Sequence, residues 1–87
     1  MFSMTIPNSN QTPEVLQIIG DLAANHQATI LSGDDSTVIE FRTLRVNGAH
    51  VTGEERALEA SDLLFDLVPF ASDYDSIPTA NQTAEPE

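Results

Sequence analysis

Glu55, Glu59, Asp62 and Asp66 stand at i, i+4, i+7 and i+11, a spacing that brings side chains onto one face of an α-helix. Carboxylates in such a row need not break or form bonds. They present negative charge to whatever carries positive charge. Eleven residues at 1.5 Å each would spread them along ~16 Å of helix axis. Over that distance one strand of a nucleic-acid duplex presents about five phosphates and both strands about ten. The row therefore approximates one phosphate strand and not a duplex. Asp34, Asp35, Asp73 and Asp75 are the further acids that would widen such a surface. Like charges at i, i+4 cost a helix about 0.2–0.5 kcal/mol per pair, and no basic residue shares the face, since Arg56 lies about 100° round from Glu55. The plain alternative is a solvated outer face, because a helix dipole favours acids in its first turn. That accounts for Glu54 and Glu55 but not for Asp62 or Asp66 in a single long helix. An acid-rich, lysine-free composition is also what adaptation to high salt produces.

Other chemistry has little to stand on. His26 and His50 are the two histidines, and a pairing such as His50 with Glu40 has no sequence signature as an acid–base site. No Gly-x-Ser-x-Gly nucleophile motif is present. Gly33, Gly48 and Gly53 are too scattered for a phosphate-binding loop and each fits a turn or a helix start. Asp34-Asp35 and Asp73-Tyr74-Asp75 resemble fragments of a calcium loop, but the remaining acids, the glycine and the distal glutamate are missing. Two histidines and one carboxylate are a poor zinc set, and without cysteine there is neither a thiolate site nor a disulfide. The reading is a protein that is not an enzyme, with no catalytic residues, no metal ligands and no cofactor.

The chain has 87 residues, enough for one domain. Fourteen acids against three arginines and no lysine give a formal charge of −11. That balance argues against direct nucleic-acid binding, which needs a basic face to displace counterions, and against anionic membrane surfaces. No apolar run reaches the ~20 residues of a membrane span, and Met1–Asn10 lacks the charge and apolar core of a secretory signal. A soluble protein of the reducing cytoplasm is the simplest fit. The charge is unevenly spread: Met1–Gly53 carries net −3 and Glu54–Glu87 net −8.

Phe2, Met4 and Ile6 alternate with Ser3 and Thr5, a short strand ended by Pro7. Thr12-Pro13 is a helix start, and Val15, Leu16, Ile18, Ile19, Leu22 and Ala23 follow at helical spacing, with Asn25 as a left-handed cap. Gly20 inside that helix suggests a close approach by another element. Gln27–Ser32, Thr37–Val46 and Ala49–Val51 read as a three-stranded meander. Gly33–Ser36 and Asn47-Gly48 supply its turns, and a switch of parity predicts a bulge or bend near Arg42-Thr43. Thr52-Gly53-Glu54-Glu55 is a capping box. It opens a helix from about Gly53 to Val68, with Leu58, Leu64, Phe65 and Val68 as its buried face, widened by Leu63 and Leu67, and Pro69 as its stop.

The expected fold is α+β: a small antiparallel sheet, the three-stranded meander with the N-terminal strand as a further member, packed with two helices. Residues 1–72 form the domain and 73–87 an acidic, mostly disordered tail. A body so small buries only about 60% of its unfolded surface, so homodimerisation would help it. The exposed edges Ala49–Val51 and Phe2–Ile6 offer a route by strand addition. Phe70–Ile77 mixes aromatic anchors with acids, suiting either a docking peptide or an extension folded back on the body.

Small size, acidity, absence of cysteine and the stripe Glu55-Glu59-Asp62-Asp66 resemble phage-encoded inhibitors of nucleic-acid-handling host machinery, the anti-CRISPR and DNA-mimic proteins. The resemblance implies a stoichiometric inhibitor that occupies a basic nucleic-acid-binding surface of a host defence protein, in the host cytoplasm, and competes there with DNA or RNA. Glu55, Glu59, Asp62, Asp66, Asp73 and Asp75 are the expected partner-binding residues. The alternative is a homodimeric assembly or adaptor module whose acidic surface imitates nothing.

Overall fold

The computed structural model describes residues 1–78. Alternating apolar residues make β1 (Phe2–Pro7), which turns Phe2, Met4 and Ile6 inward. A single turn of 3-10 helix, Asn8–Asn10, leads to α1 (Pro13–His26). There the Thr12 hydroxyl accepts from the Val15 amide at 3.3 Å and Pro13 takes the first turn, where a missing N–H costs nothing. The helix outlasts the expected Asn25 cap. Gln27 adopts the left-handed conformation instead, at φ 57°, and the Ala28 amide reaches back to the Leu22 carbonyl at 3.1 Å, the usual closure of a helix at a left-handed residue. Val15, Ile19 and Leu22 are its buried face, and Leu16 is exposed.

β2 (Thr29–Ser32) and β3 (Ser36–Phe41) follow as an antiparallel pair. The meander ends there. As the parity switch implied, the chain bends at Arg42-Thr43, but it leaves the sheet altogether. Among the described residues β4 (Leu44–Val46) and β5 (Ala49–Val51) pair only with each other across Asn47 and Gly48, at φ 53° and 83°, the left-handed pair that a tight hairpin requires. β1 fills the third place, in register Phe2 to Phe41 and Met4 to Ile39. The four-stranded order is β2-β3-β1-β6, with β6 (Asp73–Tyr74) on the far side of β1. Among the described residues the N-terminal strand is thus internal to the sheet, with β6 beside Met4 and Thr5.

The remaining helical stretch also departs from expectation. α2 (Gly53–Glu59) and α3 (Ser61–Leu67) are separate helices joined at Ala60, which sits at φ −101° and ψ 14° and shares its N–H between the Ala57 and Arg56 carbonyls. The break lets Arg56, Ala57 and Ala60 pack at one place and Leu64 and Leu67 at another, all buried. Phe65, expected inside, is exposed. A 3-10 turn, Val68–Phe70, with Pro69 in it, carries the chain to β6.

All three helices place their apolar side chains in one core with Phe2, Met4, Ile6, Ile39 and Phe41, so this is an α+β fold with helices over one sheet face. Asp73–Tyr74 extends the sheet and Ile77 is buried in the core. These residues belong to the body, where composition placed a tail; the rest of that expected tail lies outside the described residues. Phe70 packs partly buried against the core, while Tyr74 stays exposed. Gly20 meets nothing within 4 Å of an added Cβ, so no element approaches it. The close approach is at Gly53, where a Cβ would collide with the Phe41 carbonyl oxygen and lie 3.1 Å from the Met1 Cα.

Candidate interaction site

Thr52 starts α2 with a complete capping box: its hydroxyl accepts from the Glu55 amide at 3.1 Å and the Glu55 carboxylate accepts from the Thr52 amide at 2.8 Å. Glu54 accepts from the Met1 amino group at 3.0 Å, and this hydrogen bond draws its pKa below the ordinary carboxylate value. Glu54 and one oxygen of Glu55 are thus engaged within the fold.

Glu55, Glu59, Asp62 and Asp66 are all exposed. The break at Ala60 divides them into a pair on α2 and a pair on α3, so the single straight row expected from their spacing is replaced by two short ones. The division changes their energetics. Asp62 now lies in the first turn of α3, where the dipole favours a carboxylate. Glu59 ends α2 and Asp66 sits near the end of α3, where the dipole opposes one. Glu59 is close enough to Arg56 for its charge to act on that guanidinium. Asp66 makes no hydrogen bond or ion pair among the described residues. Asp73 lies exposed on β6, opposite Thr5. Asp75 accepts from the Ser3 amide at 3.0 Å through its carboxylate, a role in joining the chain end to β1. No hydrogen bond among the described residues ties either one to the helical acids.

Each of the three arginines has a contact within the fold. Arg42 donates to Glu40 at 2.6 and 2.9 Å. Arg45 approaches His50 at 3.4 Å on the outer side of the hairpin. Arg56, expected beside the acids, is 7% exposed. It donates to the carbonyls of Arg42 at 2.6 Å, His26 at 2.8 Å and Gln27 at 2.6 Å, and lies 5.2 Å from the Phe41 ring centroid. Burial lowers its pKa and the Glu59 charge acts in the opposite direction. The missed signal was position: residue 56 shares the inward spacing of Ala60 and Leu67, but its charge pointed outward.

Where the end of α1, the hairpin and the end of α2 meet, a cleft of about 290 Å³ opens. Leu44, Val46 and Val51 form its apolar wall, with Asn25, His26, Gln27, Arg56 and Glu59 around it. His26 is thereby in the cleft and His50 on the other side of the hairpin, each without a carboxylate partner among the described residues; Glu40 pairs with Arg42, not His50. Asp34 and Asp35 belong to the β2–β3 turn, where their backbone carbonyls accept from Asn8 at 3.0 and 2.9 Å. Among the described residues no three His, Asp or Glu side chains converge as a metal site, and no helix is long and apolar enough to cross a membrane.

The fold and surface define a small α+β protein with a helical layer whose exposed side is acidic. No family model, curated protein or solved structure matches the chain.

Proposed function

We propose that this chain is a non-enzymatic inhibitor that binds the basic nucleic-acid-binding surface of a host defence protein and competes there with DNA or RNA. Glu55, Glu59, Asp62 and Asp66 are its main contacts and Asp73 and Asp75 peripheral ones. What supports this most is the combination of exposed acids on α2 and α3 with the withdrawal of Arg56, on the same helix, into internal contacts. The acids are left as a nearly unopposed field, which raises association rates with a basic partner. Asp66 strengthens the case, since its position costs the helix stability and no internal contact offsets it. The divided row means that competition is by charge at a groove, not by copying the spacing of one phosphate strand.

The experiment is affinity capture from a lysate of the bacterial host, followed by elution with a DNA or RNA oligonucleotide. A captured protein with a basic nucleic-acid channel, released by the oligonucleotide and by added salt, supports the reading. A captured protein that neither releases contradicts it.

A second reading, an assembly module, draws on one observation. The sheet face away from the helices carries Leu31, 44% exposed, beside Val38 at the free β2 edge. Leu31→Asp would then dissociate an oligomer in sedimentation while charge reversal on α3 leaves it intact.

A further inference from the structure

We infer that Asn47 is a spontaneous modification site, where the folded chain loses a side-chain amide and takes an isoaspartyl link into the tip of its hairpin. The site is independent of the acidic contact surface proposed above.

The sequence supplies the reacting pair. Asn47 is followed by Gly48, and a residue without a Cβ leaves its backbone nitrogen open to approach. Both residues are exposed. An added Cβ at Gly48 would meet nothing within 4 Å, and the Gly48 N–H donates to no backbone carbonyl among the described residues. The other described asparagines differ. Asn8 donates its side-chain amide to the Gly33 and Asp34 carbonyls and precedes Ser9; Asn10 donates to the Phe70 carbonyl and precedes Gln11. Asn25 lies inside α1, ahead of His26, where helical hydrogen bonds hold the backbone.

The hairpin supplies the freedom to react. To reach the Asn47 Cγ, the Gly48 nitrogen has to swing out of the tight turn set by φ 53° and 83°. Such local opening costs least where few contacts hold a segment. β4 and β5 have three residues each and, among the described residues, pair only with each other, an arrangement that is marginal by itself. Val46 and Ala49, which flank the turn, are exposed.

In the opened turn the Gly48 nitrogen gives its proton to a solvent base and bonds to the Asn47 Cγ. The Cγ–Nδ2 bond breaks and the amide leaves as ammonia. The resulting succinimide takes up one water. Opening at Cγ leaves aspartate; opening at the backbone carbonyl leaves isoaspartate, whose main chain runs through Cβ and Cγ. Either product adds one negative charge to the formal −11. Aspartate tolerates the left-handed conformation and keeps the turn, whereas the extra main-chain atom of isoaspartate does not fit a two-residue loop.

The test ages the full chain in mildly alkaline buffer and cuts it with trypsin after Arg45 and Arg56. Residues 46–56 are then analysed by mass spectrometry and by isoaspartyl methyltransferase labelling. The expected result is loss of the Asn47 amide with isoaspartate in the product, faster as pH rises and ahead of Asn8, Asn10 and Asn25. Asn47→Gln should remove the labelling of that peptide. Amide hydrogen exchange at Val46 and Ala49 should quicken in the aged chain but not in Asn47→Asp. An Asn47 that stays intact in the folded chain, whether or not it converts in urea, overturns the inference. Conversion of the other three asparagines at an equal rate overturns it too.

Discussion

The guanidinium of Arg56 lies 5.2 Å from the centroid of the Phe41 ring and from there holds the carbonyls of His26, Gln27 and Arg42. One side chain thus fastens the end of α1, the exit of β3 and the first turns of α2. Charge-assisted bonds to carbonyls stabilise more than neutral ones, and breaking a buried set leaves its acceptors unpaired. Arg56→Met is expected to lower unfolding free energy by about 3 kcal/mol. Arg56→Lys should fall between, since an ammonium cannot span all three carbonyls from over the ring. Urea denaturation measures both.

The two glycines in or beside helices give opposite expectations. Gly53→Ala forces a Cβ into the Phe41 carbonyl, and backbone cannot move aside as a flexible side chain can. A loss of about 2 kcal/mol or more is expected, as for overpacking. Gly20→Ala fills open space on α1 and should raise stability by about 0.5–1 kcal/mol. Thermal melting of both variants distinguishes them by sign.

Much of the fold was legible because it rests on local chemistry. Thr12-Pro13, the Thr52–Glu55 capping box and Asn47-Gly48 each fix a backbone feature with residues close in sequence. What escaped depends on distant partners. Nothing local distinguishes Ala49–Val51 as a third sheet strand from its actual place in a detached hairpin, and β1 takes that sheet position through Phe2 and Met4 packing on β3. Ala57, Ala60, Leu64 and Leu67 keep helical spacing straight through the bend, so periodicity conceals it; Ser61-Asp62 is the only local hint of a new helix start. At the site, the exposure of the four acids followed from amphipathic spacing. The cleft did not, because it is assembled from three elements far apart in sequence.

The short edge strand has consequences for the chain end. Ile77 is 5% exposed and follows Asp75, whose carboxylate and amide both bond to Ser3. Ile77→Ala should cost about 2–4 kcal/mol, as for other buried isoleucines. Hydrogen exchange at Ser72 and Asp75, whose amides bond to β1 carbonyls, should quicken with it.

Asp66 separates function from stability. Near the end of α3 its carboxylate opposes the dipole, so Asp66→Asn is expected to raise unfolding free energy by about 0.3–1 kcal/mol. The same substitution should weaken partner binding. A variant both more stable and poorer at binding is the signature of an acid retained for contact; unchanged affinity would mark Asp66 as a solvated residue.

The most direct measurement compares partner affinity, by calorimetry at fixed ionic strength, for Glu59→Lys with Asp66→Lys against Glu14→Lys with Asp21→Lys. Both pairs change net charge equally, one at the ends of α2 and α3 and the other on α1. The acidic surface of α2 and α3 as the contact predicts a loss of about tenfold or more for the first pair and a much smaller loss for the second. Equal losses, or none in the first pair, would contradict it.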